Sequence, residues 1–169
     1  MPTDEAALTL TRVWREMTPA QRAAAAECFW LDGDSMNQQL EAVTFLARQL
    51  KFRPHALLAL PVERRTRQLA MAQRPPEAVI GRALVVYHLA TQRPMLQLFL
   101  DRLGIPHEQG LIAETPAAPP AAEPLRAAAA AIAAAFPADD VRIYLHTLAV
   151  QDPDTWGALA SWSSSAPQP

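Results

Sequence analysis

The chain is expected to be all-α, a compact array of seven or eight short helices, and three observations point there. Glycine is scarce and proline frequent, 5 against 16 in 169 residues. The prolines fall between short segments whose apolar residues recur every three or four positions, the period of one helix face. Several segments also open with residues suited to capping a helix N-terminus.

Trp14 and Trp30 fall on expected helices among apolar neighbours and are assigned to the core. Thr18-Pro19-Ala20-Gln21 reads as a capping box with proline in the first turn, where its missing N–H costs nothing, and opens a helix to about Leu31. Ser35-Met36-Asn37-Gln38 repeats the device. After it Met36, Leu40, Val43, Leu46 and Leu50 make one apolar helix face. Pro54 and Pro61 bound a short leucine-rich turn and a polar helix of about 61–72, which Pro75-Pro76 stops. Residues 76–92 form the most hydrophobic helix candidate and are expected at the centre of the core, with His88 opposite its main apolar stripe. Pro94 opens a helix that ends at Leu103-Gly104-Ile105-Pro106, with glycine for the left-handed residue and proline beyond it.

The stretch 114–124 has the composition of a stiff Pro/Ala linker and marks a boundary. The expected organisation is a helical core domain over 1–113, the linker, a helical hairpin over 125–162 docked on the core, and a frayed tail over 163–169. Leu125 to Phe136 is nearly all alanine, Asp139 can cap the next helix, and Asp152-Pro153 starts a last one carrying Trp156. Leu46-Ala47-Arg48-Gln49 to Pro54 echoes Leu89-Ala90-Thr91-Gln92-Arg93-Pro94, which would suit stacked helical hairpins.

Charge is segregated along the chain. Residues 48–82 hold eight basic side chains against two acids, a local +6, while each flank sums to −4 and the whole chain to −2. Such a field either steers a partner of opposite charge or is satisfied by the acidic flanks, through Asp32, Asp34 or Glu41 and an i,i+4 pair of Glu63 with Arg67. The candidate partner-binding face is Lys51, Arg53, Arg64, Arg65, Arg67 and Arg74, with Arg64 and Arg67 on one side of a helix. Guanidinium groups so placed suit carboxylates or phosphates.

Other chemistry finds little support. The four histidines are far apart, Asp32-Gly33-Asp34 lacks the later ligands of a calcium loop, and no nucleophile elbow or phosphate-binding glycine loop occurs, so no catalytic residue, metal or cofactor is assigned. Cys28 reads as a small buried hydrophobe. Arg82, Tyr87 and His88 would line a pocket if the central helix bordered a cavity. The opening Met-Pro-Thr-Asp-Glu lacks a secretory pattern, and the longest apolar run, 127–136, is too short to span a bilayer, so a cytoplasmic protein without a membrane partner is expected. The expected function is a non-catalytic helical adaptor that offers an arginine-rich face to an acidic protein. The alternatives are a nucleic-acid-binding regulator and, third, a small-ligand binder or enzyme.

Overall fold

The computed structural model describes residues 7–162; the expected tail over 163–169 lies outside them. Ten α-helices and one two-strand hairpin lie among the described residues, so the chain is all-α. The count exceeds the expected seven or eight because pieces as short as four and five residues close their own turns. Backbone contacts divide the described chain into two units, 14–91 and 7–13 with 92–162.

The first unit begins within α1 (Leu10–Glu16), whose Trp14 is fully buried with its indole N–H donating to Ala72 O at 3.0 Å. Next comes α2 (Pro19–Leu31). Its capping box is complete: Gln21 N donates to Thr18 Oγ1, and Thr18 N donates to Gln21 Oε1. After a 3-10 turn, Gly33–Ser35, comes α3 (Met36–Leu50). Here the expected second capping box fails. Ser35 is fully buried, its hydroxyl donating to Asp32 Oδ2 and accepting from Arg82 Nε at 2.7 Å, and it caps no N–H. Only part of the expected apolar face of α3 is covered. Ala42, Val43, Leu46 and Ala47 are buried, whereas Met36 and Leu40 are 61% and 50% exposed.

Two short helices follow, α4 (Pro54–Leu58) against α3 and α5 (Val62–Met71) against α2. The unit closes with α6 (Glu77–Thr91), which packs on both α2 and α3. Being covered from two sides, α6 buries His88 as well as Val79, Ile80, Ala83, Leu84 and Tyr87. His88 therefore lies in the packed interior and not on the partly exposed side of α6 that carries Arg82.

In the second unit α7 (Arg93–Leu103) ends on Gly104 at φ 65°, with Gly104 N bonded to Asp101 O and Ile105 N to Leu100 O. That is the expected left-handed stop. Beyond it the chain makes a hairpin unforeseen in the sequence, β1 (His107–Glu108) paired antiparallel with β2 (Leu111–Ile112). Its two turn residues, Gln109 and Gly110, take φ 52° and 92°, the double positive φ of a tight hairpin turn.

The helix α8 (Ala122–Ala135) packs on α7 and α9 (Ala138–Gln151). It starts three residues earlier than expected because Pro124 sits in its first turn, where the absent N–H costs nothing. The N-cap of α9 is Pro137, not Asp139; Asp139 lies in the first turn and pairs with Arg142 at 3.1 Å. Asp152 does cap α10 (Pro153–Trp156), accepting from Thr155 N. Phe99 joins three helices here: its ring meets Tyr144 edge-on at 5.5 Å and Trp156 at 5.9 Å.

Candidate functional site

The candidate basic residues lie in the first unit, carried by the end of α3, α4, α5 and the loop after it. On α5 the buried Leu69 fixes the inner face. Glu63, Arg64, Arg67 and Met71 are exposed, at the three- and four-residue spacing of one outer stripe. Arg65 points elsewhere: it is half-buried with its guanidinium carbon 5.0 Å from the centroid of the Trp30 ring on α2. Cation–π attraction ties this arginine to the packing of α5 on α2. Because α5 ends at Met71, Arg74 does not continue the helical stripe but stands exposed in the following loop.

Lys51 is the left-handed C-cap of α3 at φ 56°, and Arg53 is the N-cap of α4; both are exposed. Between them Phe52 is 48% exposed, while α4 is anchored by the fully buried Leu57. Arg48, in the last turn of α3, is also exposed.

Internal pairing takes up little of this charge. Of the eight basic residues over 48–82, Arg82 alone forms an ion pair among the described residues, its Nη2 lying 2.8 Å from Asp32 Oδ2. Burial by itself would raise the Asp32 carboxyl, but hydrogen bonds from Ser35 and Arg82 and the arginine's charge outweigh it and hold the group below its ordinary value. Asp32 is thereby committed to a lock joining the α2–α3 connection to α6. Glu63 and Arg67 do not pair, although both border one cleft. Elsewhere acids bind close neighbours: Glu123 with Arg126 at 2.6 Å, Asp101 with His107 at 2.9 Å.

The possible pocket group is packed. Arg82 is held by Asp32 and Ser35, and Tyr87 and His88 are 4% and 3% exposed with ring centroids 5.3 Å apart. Burial depresses the His88 imidazole to about 3, so it is neutral at physiological pH. Burial, followed by the nearby Glu27 charge, raises the Cys28 thiol, which is half-buried. Among the described residues no three His, Cys, Asp or Glu side chains gather as metal ligands.

Among the described residues the clefts open to solvent include three. One of about 670 Å³ runs along Leu40, Thr44, Phe45 and Arg48 of α3 to Pro76. Another, of about 530 Å³, lies between α8 and the C-terminal turn at Leu159 and Trp162. The third, of about 440 Å³, separates α2 from α5 and is lined by Arg22, Ala23, Glu63, Thr66, Arg67 and Ala70, among others. Arg22 escaped the sequence reading because it belongs to the acidic flank. The signal for it was a lone arginine in an alanine-rich helix, whose small neighbours leave room beside its side chain.

Comparison of the chain with models of known protein families, with curated proteins and with solved structures finds no match.

Proposed function

We propose that this chain is a non-catalytic, cytoplasmic interaction module that offers its arginine-bearing unit to an acidic protein partner. One observation carries the reading: Arg48, Lys51, Arg53, Arg64, Arg67 and Arg74 are exposed and make no ion pair among the described residues. An exposed guanidinium gives up little on meeting a carboxylate and can bind it through two parallel hydrogen bonds. Charges so placed set the encounter rate and the choice of partner more than raw affinity. Arg65 belongs to the packing of α5 and contributes to the field without being presented.

A nucleic-acid partner is the second reading, and Phe52 favours it. A half-exposed aromatic ring between Lys51 and Arg53 is what stacking on an unpaired base needs.

Fluorescence anisotropy of a labelled Glu/Asp-rich peptide and a labelled single-stranded RNA, each titrated with the full chain, tests both. The variant to compare is Arg64→Glu/Arg67→Glu/Arg74→Glu. It leaves out Arg65, whose replacement by glutamate would set a carboxylate against the Trp30 ring face and damage the fold. Peptide affinity should fall by about tenfold or more on reversing three charges, with the helical circular dichroism unchanged. RNA binding in place of peptide binding would move the function to nucleic acid. No binding of either by the wild-type chain, or no effect of the variant, defeats the proposal.

A further inference from the structure

His107 on β1 is held at both ring nitrogens. Its Nε2 lies 2.9 Å from Asp101 Oδ1 of α7, and its Nδ1 lies 3.1 Å from the Gly110 backbone nitrogen in the hairpin turn. A backbone N–H can only donate, so Nδ1 is the unprotonated nitrogen and Nε2 carries the proton that Asp101 accepts. The two contacts thus assign the tautomer, and they require a neutral ring. Gly110 is buried, and its N–H has no other partner among the described residues. It also sits tightly on α7: a Cβ at position 110 would lie 2.9 Å from Leu96 Cβ, and Leu96 is 3% exposed.

A proton added to Nδ1 would set one N–H against another and leave the buried Gly110 donor without an acceptor. Turning the ring does not help, because both nitrogens of an imidazolium are donors. What the cation gains is attraction to Asp101, whose side chain is 69% exposed, and an ion pair so open to water contributes little. The other charged side chains around the turn are Glu108 on β1 and Arg102 on α7, both exposed, and Arg93 on α7, which donates to Gln109 Oε1; β2 carries none. Of the charged groups only Asp101 bonds the ring.

We propose that the hairpin over 107–112 is an acid-released latch: neutral His107 seats the Gly110 turn on α7, and protonation of the ring frees the turn and uncovers Leu96. Only the tip opens, since Ala113 N bonded to Pro106 O at 3.2 Å keeps the base closed. Histidine side chains take up protons within about pH 5 to 8, so the latch works in a physiological range. Release adds Leu96 to the apolar surface that Leu111, 52% exposed, already offers. The latch stands apart from the acidic-partner reading, which concerns the other unit.

Amide hydrogen exchange followed by nuclear magnetic resonance on the full chain, from about pH 8 to about pH 5, tests it. Exchange at Gly110, corrected for the intrinsic rate at each pH, should be slow at the upper end and lose about tenfold of its protection at the lower. Phe99 on α7, fully buried, should keep its protection, which separates release of the turn from unfolding of the unit. The ring nitrogen signals of His107 at the upper end should report the Nε2–H tautomer. His107→Asn puts an amide oxygen, which does not titrate, where Nδ1 stood, so Gly110 should stay protected across the range. Asp101→Asn removes the charge that favours the cation and should move release to lower pH. Gly110 protection that is flat with pH in the wild type, an Nδ1–H tautomer at the upper end, or an equal loss in His107→Asn overturns the proposal.

Discussion

His88 places an imidazole where 3% of the residue is exposed, and no charge can be kept there cheaply. Its folded-state value of about 3 lies below the ordinary 6.5 because burial penalises the protonated ring. Between those values the unfolded chain binds a proton that the folded chain refuses, so folding must weaken as pH falls from 6.5 toward 3. The contribution is fully present above 6.5, and the slope for one such group is at most about 1.4 kcal/mol per pH unit. Asp32 acts in the same direction at lower pH: its depressed carboxyl stabilises the fold above the unfolded value and loses that contribution as pH falls. Urea denaturation at pH 7, 5.5 and 4.5 should show stability falling in the wild type and falling less in His88→Gln. Parallel slopes for the two proteins would mean that His88 is charged in the folded state.

Gln39 reinforces the end of α2 from the following helix. Its side-chain amide donates to Phe29 O at 2.7 Å and to Asp32 O at 2.9 Å, two carbonyls whose backbone partners, Asp32 N and Ser35 N, lie farther off at 3.4 Å and 3.3 Å. Gln39→Ala should therefore cost about 1–2 kcal/mol in chemical denaturation, whereas Gln38→Ala, at the position the sequence favours for a capping box, should fall within about 0.5 kcal/mol. Equal effects at both positions would show that the α2 terminus does not depend on this side chain. The pair also shows where legibility ends. Thr18 and Gln21, Gly104 and Asp152 announce their turns because each cap closes within three or four residues, and all are used as the sequence implies. Ser35 carries the same local signal, but a partner 47 residues away, Arg82, takes its hydroxyl. Local propensity yields there to a contact that only the packing of α6 creates. The β-hairpin was missed for a related reason: Gln109-Gly110 suits the turn, but strands of two residues have no period to detect.

Across the whole chain, the total of −2 conceals what a partner would meet, since the charge is sorted by position. Sorting was legible from composition; pairing was not. Sequence could offer Asp32, Asp34, Glu41 and Glu63 as counter-ions, but only packing reveals that Asp32 is committed to Arg82 and that Arg65 is turned onto Trp30. The remaining exposed cations act through solvent, where the screening length is about 10 Å at 0.1 M salt and about 3 Å at 1 M. Binding of the Glu/Asp-rich peptide should accordingly weaken by about tenfold or more over that interval, chiefly through slower association. Stopped-flow association rates and equilibrium anisotropy at both salt concentrations would measure the two parts. Affinity that holds or rises with salt would assign the contact to the exposed apolar side chains Met36, Leu40 and Phe52, because burial of apolar surface is strengthened rather than screened by added salt. The arginines would then keep the surface soluble and choose no partner.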